Sequence, residues 1–137
     1  MKKVQISFFA VLCMLFSLSL LQNSLGQDAA ALEVADPAVC TSVVDRACVD
    51  PKEEFSAAVE KLYCFTRITG AQEDTEVTHV WYFGDIERAR ITLAVRSSSY
   101  RTYSSKRIQT HETGPWRVEV LGPDGTVLKT ISFSVVQ

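Results

Sequence analysis

Between Ile86 and Val95 the chain alternates cleanly, with Ala89, Ile91, Leu93 and Val95 in one phase and Arg88, Arg90 and Thr92 in the other. A period of two places those phases on opposite faces of an extended strand, and the apolar face has to be covered by another layer. The pattern recurs along the chain. Lys61–Thr69 sets Leu62, Cys64, Thr66 and Ile68 against Tyr63, Phe65 and Arg67. Trp116–Leu121 sets Trp116, Val118 and Val120 against Arg117 and Glu119, and Thr126–Val136 keeps Val127, Ile131, Phe133 and Val135 in phase. Val39–Asp45, Glu76–Phe83 and Tyr100–Ile108 read as further strands. Turn chemistry separates the runs: Gly70–Asp74, Gly84-Asp85, Ser97–Ser99 and Gly122-Pro123-Asp124-Gly125. Pro51–Glu60 reads differently. Asp50 suits a cap, Pro51 a first helical position, and Glu53 and Glu54 an N-terminal turn, so one turn of helix is expected there. The expectation is an all-β domain, an antiparallel β-sandwich of about seven strands, immunoglobulin/fibronectin-like, because an open sheet would leave its edges bare.

The first residues predict export. Met1-Lys2-Lys3 is basic, Val4–Leu21 is apolar and uncharged, and Ser24 and Gly26 supply small side chains at a cleavage site. This is the arrangement of a signal peptide over 1–26, with 27–37 a flexible leader and 38–137 the sandwich domain. The alternative is a retained anchor, for which Val4–Leu21 is at the lower length limit. The expected location is periplasmic or secreted, with no membrane contact after cleavage.

Charge is unevenly divided. Asp28–Glu87 holds 13 acids and 4 bases, whereas Arg88–Gln137 holds 3 acids and 8 bases. The two halves either attract each other across one fold or present a basic face to an anionic partner. A net-acidic exported chain excludes nucleic acid as the expected partner. Cys40, Cys48 and Cys64 follow the signal, an odd number for an oxidising compartment. If Cys40–Arg46 is one extended strand, Cys48 lies out of reach of Cys40, and a Cys40–Cys64 disulfide across neighbouring antiparallel strands is expected. No metal is expected, since neither His79 nor His111 has ligand-spaced neighbours and no CxxC occurs. No cofactor motif is present.

The segment richest in chemistry is Arg96–Arg107, where Tyr100 and Tyr103 interleave with Arg96, Arg101, Lys106 and Arg107. Aromatic rings stack on sugar faces, and guanidinium and ammonium groups engage carboxylate or phosphate. Trp81, Arg88, Arg90, Tyr100, Arg101, Tyr103 and Lys106 are therefore the candidate ligand-binding residues. The alternative is cross-strand Tyr–Arg pairing that only holds a sheet together. No catalytic residue is expected. Ser104-Ser105-Lys106 lacks the helical SxxK spacing, no GxSxG elbow occurs, and His79 reads as a hydrogen-bonded structural histidine. His111-Glu112 reads as a solvated loop.

The run His79–Val135 resembles the bacterial family known as domain of unknown function 2914. The resemblance rests on H-V-W-Y (His79–Tyr82), A-R-I-T-L-A-V (Ala89–Val95), Y-R-T-Y-S-S-K (Tyr100–Lys106), G-P-W-R-V-E-V (Gly114–Val120), the Asp124-Gly125 turn and F-S-V (Phe133–Val135). V-D-R (Val44–Arg46) and L-Y-C-F-T (Leu62–Thr66) are also similar. The chain departs from the family in having Tyr100 and Tyr103 where tryptophan is frequent, and Ala47-Cys48 where proline commonly follows the Asp-Arg pair. The second departure leaves Cys48 as the odd thiol. The resemblance implies fold and boundaries but no activity. The expected function is an exported, non-catalytic binding or accessory module of the bacterial cell envelope. Its partner would be an envelope polysaccharide or a protein. The alternative is a structural protein–protein interaction domain that uses a sheet edge. The sequence gives no oligomeric state.

Overall fold

The computed structural model describes residues 32–137. The expected signal peptide and the start of the leader lie outside that range. The described residues form ten strands and no helix: β1 Glu33–Cys40, β2 Ser42–Val44, β3 Ala47–Val49, β4 Glu54–Ser56, β5 Lys61–Thr69, β6 Thr75–Phe83, β7 Ile86–Val95, β8 Ser99–Arg107, β9 Gly114–Leu121 and β10 Val127–Val136. They make a three-stranded sheet ordered β1-β5-β8, a five-stranded sheet ordered β4-β10-β9-β6-β7, and the small hairpin β2-β3. All pairs are antiparallel except β4 on β10.

The period-two segments become the long strands, and their apolar phases bury as the pattern requires. Leu62, Cys64 and Ile68 of β5 are fully buried, as are Val77 and Trp81 of β6 and Val118 and Val120 of β9; Val80, on the other face of β6, is buried as well. One apolar cluster joins Val39, Leu62 and Cys64 from the three-stranded sheet to Trp81, Trp116, Val118, Phe133 and Val135 from the five-stranded sheet. A second gathers Ile68, Val77, Val95 and Val120, with Tyr100 packed against it. Phe133 is the aromatic hub. Its ring stacks on Trp116 at 6.0 Å and meets Trp81 and Phe55 edge-on at 6.1 and 6.0 Å. Each such pair adds about 0.5–1.5 kcal/mol to the area burial.

Turn residues act as their chemistry dictates. In the β9–β10 turn Gly125 takes φ +85°, and its amide donates to the Gly122 carbonyl at 3.0 Å. Asp124 accepts from the Thr126 amide at 3.0 Å and from its hydroxyl at 2.9 Å. Those bonds hold the Asp124 carboxyl below its usual range.

Three expectations change. β1 begins at Glu33, so the end of the expected leader is sheet, with Glu33, Val34 and Ala35 registered against Thr69, Ile68 and Arg67. The expected helical turn at 51–60 is replaced by β4, because β10 offers a better home for its backbone. The Ser134 amide donates to the Glu53 carbonyl at 2.8 Å, the Ala57 amide donates to the Val136 carbonyl at 2.7 Å, and Phe55 buries against Phe133. Too short to form a stable helix by itself, the segment follows the tertiary contact.

The third correction is the disulfide. Cys40 bonds Cys48, with Cα atoms 5.7 Å apart, and Cys64 remains a buried thiol. The expected single strand from Val39 to Asp45 breaks into β1 and β2. Asp45 and Arg46 then take positive φ, +51° and +59°, and fold β3 back onto β2. Two left-handed residues in sequence are the turn that matches strand twist in a tight hairpin. Cys40 and Cys64 do lie on paired strands, but Val39 is the residue opposite Cys64, and Cys40 opposes Tyr63. An offset of one residue points the two thiols to opposite faces. Burial pushes the Cys64 thiol up to about 12.

Non-reducing peptide mapping is expected to recover a Cys40–Cys48 crosslink, and Cys64 is expected to react with thiol reagents only after denaturation. Opening the link by Cys48→Ser is expected to cost about 2–3 kcal/mol, the loop-closure entropy of so short a ring, measured by chemical denaturation.

Candidate functional site

The polar interior between the sheets decides which way the candidate strand faces. His79 on β6 is fully buried, and its two ring nitrogens reach across to the opposite sheet. Nε2 lies 3.1 Å from Thr66 Oγ1 on β5, and Nδ1 lies 2.7 Å from Ser104 Oγ on β8. The Trp81 indole N–H donates to the same serine oxygen at 3.0 Å. Burial lowers the His79 pKa from 6.5 to about 4, so the ring is neutral at pH 7. By distance alone Ser104 and His79 look like a nucleophile and its base. Both are sealed between layers, however, and the second histidine nitrogen meets a threonine hydroxyl instead of a carboxylate. The group works as a polar clamp between sheets.

A second buried polar group holds the β8–β9 loop. Glu112, 1% exposed, accepts from the Gln109 amide through Oε1 at 2.9 Å, and its carbonyl accepts from the Trp116 indole at 3.0 Å. Its Oε2 lies 3.0 Å from Arg88 Nε, off the N–H direction, so the contact is an ion pair without a formed hydrogen bond. The expectation of a solvated loop holds for exposed His111 and fails for Glu112.

These anchors sort the candidate ligand residues. Trp81 is wholly interior. Tyr100 lies on the inward face of β8 and packs against the second core cluster. Lys106 shares that inward parity, and its Nζ donates to the Arg107 carbonyl at 2.6 Å. Arg88 is held by Glu112, and Arg90 by Glu87 at 2.6 Å, a hydrogen bond that raises the Arg90 pKa. Only Arg101 and Tyr103 come together on an exposed face.

That face carries more than those two. The register of β5 on β8 places Lys61 opposite Arg107, Tyr63 opposite Ser105, Phe65 opposite Tyr103 and Arg67 opposite Arg101, all with the parity that turns away from the two core clusters, although Phe65 itself is buried. Tyr63 and Tyr103 meet edge-on at 6.0 Å, Tyr103 is 45% exposed, and Lys61 Nζ sits 5.3 Å from the Tyr63 ring centre. Arg67 is occupied: it donates to Asp36 at 2.9 Å and to Ser99 Oγ at 3.2 Å. Among the described residues, Lys61, Arg101 and Arg107 have no carboxylate within ion-pair distance. Arg101 and Arg107 stand about 20 Å apart along the strand. The Cys40–Cys48 link flanks the patch, since Cys40 is the cross-strand neighbour of Tyr63. Lys61, Tyr63 and Arg107 were absent from the sequence candidates. Their shared parity is legible within each strand, but which strand lies beside β8 is not. Among the described residues no three His, Cys, Asp or Glu side chains gather where they could hold a metal ion.

Residues 74–135, from the start of β6 to near the end of β10, match the family described as "Protein of unknown function (DUF2914)". No curated protein matches the sequence. Among solved structures, the chain is similar to a mutant β-glucosidase from Listeria innocua in complex with laminaribiose, at TM-score 0.43 and 10% identity over 77% of this chain. It is also similar to β-glucosidase 3B from Thermotoga neapolitana in complex with glucose, at TM-score 0.40 and 16% identity over 77% of this chain. The chain spans 16% of the length of each of those two proteins.

Clamp variants have a clear expected signature. A histidine whose pKa is lowered on folding takes up its proton more readily in the unfolded chain, so stability is full above pH 6.5 and falls as pH drops toward 4. Urea denaturation across that window is expected to show a loss of about 3 kcal/mol that His79→Gln removes. Ser104→Ala leaves the Trp81 N–H and a histidine nitrogen without partners and is expected to cost about 1–3 kcal/mol at pH 7.

Proposed function

We propose that this chain, a DUF2914 family member through residues 74–135, is an exported, non-catalytic binding module whose ligand is an acidic polysaccharide of the cell envelope. The observation that carries the reading is the outward face of β5 and β8. Two edge-to-face tyrosines lie between cations that have no carboxylate partner among the described residues, Lys61 and Arg107 at one end and Arg101 at the other. Tyrosine presents an apolar ring with a polar tip at low entropic cost, which suits the face of a sugar, and the flanking cations suit carboxylates spaced along a chain. An arrangement drawn out along the strands fits an extended polymer better than a compact solute.

The immunoglobulin-like sandwich belongs to the same proposal. The sets β1-β5-β8 and β4-β10-β9-β6-β7, with a buried tryptophan on β6 in the same core cluster as Cys64 of β5, support that architecture. The short β4 would then be the segment that leaves the first sheet for the second. Export is supported by the basic-then-apolar N-terminus and is compatible with the Cys40–Cys48 bond, which persists in oxidising compartments.

Polygalacturonate serves as the probe and neutral dextran as its control. The wild-type domain is expected to be retained by polygalacturonate and released by salt, because exposed charge contacts are screened. Arg101→Ala combined with Tyr103→Ala is expected to weaken retention about tenfold or more while the circular dichroism spectrum is unchanged. Arg88→Ala with Arg90→Ala, on the other sheet, is expected to leave retention as it was. Equal retention of the Arg101/Tyr103 variant, or equal binding of dextran, would remove this face as the site.

A further inference from the structure

A second surface lies on the opposite side of the chain's topology, where the two sheets fail to close. β10 is paired on one side with β9 along its whole length, but on the other side only Ser134–Val136 is covered, by β4. The remaining stretch, Lys129–Ser132, borders an open groove of about 390 Å³ whose other wall is Pro37–Val39 of β1 and whose lining also includes Pro51, Lys52 and Glu53, the approach to β4. Ile131 forms its apolar floor and touches both core clusters.

The backbone on that edge has a definite polarity. The Ser134 amide points away from β9, because it donates to the Glu53 carbonyl. In an antiparallel ladder alternate residues turn both N–H and C=O to the same side, so Thr130 and Ser132 direct theirs into the groove as well. Register agrees: Ser134 faces Pro115, which has no N–H to offer, and Ser132 and Thr130 face Arg117 and Glu119 in the same phase. Among the described residues no strand pairs with this side of Thr130 or Ser132. The β1 wall is not equivalent. Pro37 lacks an N–H, the register shifts between Ala35 and Ala38, and the Val39 carbonyl is already taken by the Lys52 amide at 3.1 Å. One wall therefore offers a repeating donor–acceptor edge, and the other only confines it.

We infer that this groove receives an extended segment of a partner polypeptide, which adds to β10 as a strand along Lys129–Ser132 and places an acidic residue against Lys129. Two amides and two carbonyls repeating about 6.8 Å apart are matched by another main chain and by few other ligands. Lys129 has no carboxylate within ion-pair distance among the described residues, which favours an acidic partner residue. The inference is independent of the polysaccharide reading, which concerns the far face of the other sheet.

The probe is a synthetic peptide of alternating valine and threonine with one central glutamate and a lysine at each end. Its control is the same peptide N-methylated at alternate amides. Calorimetry is expected to show binding of the first and loss of about tenfold or more in affinity for the second. Added peptide is expected to slow hydrogen exchange at Thr130 and Ser132. Thr130→Pro removes one outward N–H without touching the β9 ladder and is expected to weaken binding about tenfold, as is Lys129→Glu. Arg101→Ala with Tyr103→Ala is expected to bind the peptide normally. Absence of binding, equal binding of the methylated peptide, or protection appearing elsewhere would overturn the inference. Peptide-independent protection of Thr130 and Ser132 that grows with protein concentration would overturn it too, by making the occupant a second copy. The exchange measurement on the wild type decides the matter even if Thr130→Pro does not fold.

Discussion

A neutral histidine closed between two sheets governs how this molecule presents itself. His79 reaches Thr66 and Ser104 across the interior, and Trp81 adds its indole N–H to the same serine. Polar atoms so deeply buried are costly unless every one is matched, so the three strands they join are held to one register and one facing. Because Ser104 is pinned inward, strand parity turns Arg101, Tyr103, Ser105 and Arg107 outward beside Lys61, Tyr63 and Arg67. The exposed basic–aromatic face is thus a consequence of an interior hydrogen bond.

The molecule offers two surfaces of different chemistry. The β5–β8 face carries side chains: tyrosine rings and three cations with no acidic neighbour in the described residues. The β10 edge carries main-chain groups, bounded by β1, whose groove side is interrupted by Pro37 and a register shift. The first acts through exposed charges, which salt screens. The second suits a strand and depends on amide hydrogens. Neither surface requires the other.

Much of this was legible in the residues. The long strands β5, β6, β7, β8, β9 and β10 fall where period-two alternation and the Gly84-Asp85 and Gly122–Gly125 turns place them, since those are local properties. His79 was read as a structural histidine, and its lack of spaced carboxylate neighbours was a sound reason. The errors share one origin. Arg88 and Arg90 looked available because their partners, Glu112 and Glu87, are found only after the fold brings or aims them. Trp81 looked like a platform residue because alternation cannot tell which of two faces meets another sheet when both carry aromatic groups. The short pieces β2, β3 and β4 were misread because three residues carry too little pattern to outweigh propensity, and their partners decided them.

Alternating polarity and turn chemistry were enough to settle that the described residues are all-β, where β5 to β10 lie to within a residue or two, and which residues within one strand share a face, whereas β1, without a clean alternation, was read as leader up to Pro37. Those depend on backbone geometry over a few residues. Which strands lie side by side, the one-residue offset that sends Cys40 to Cys48 and leaves Cys64 in the core, and the meeting of Tyr63 with Tyr103 were decided by the assembled sheets. Pairing between distant segments is selected by the burial of whole faces at once, a quantity that no single stretch of residues contains.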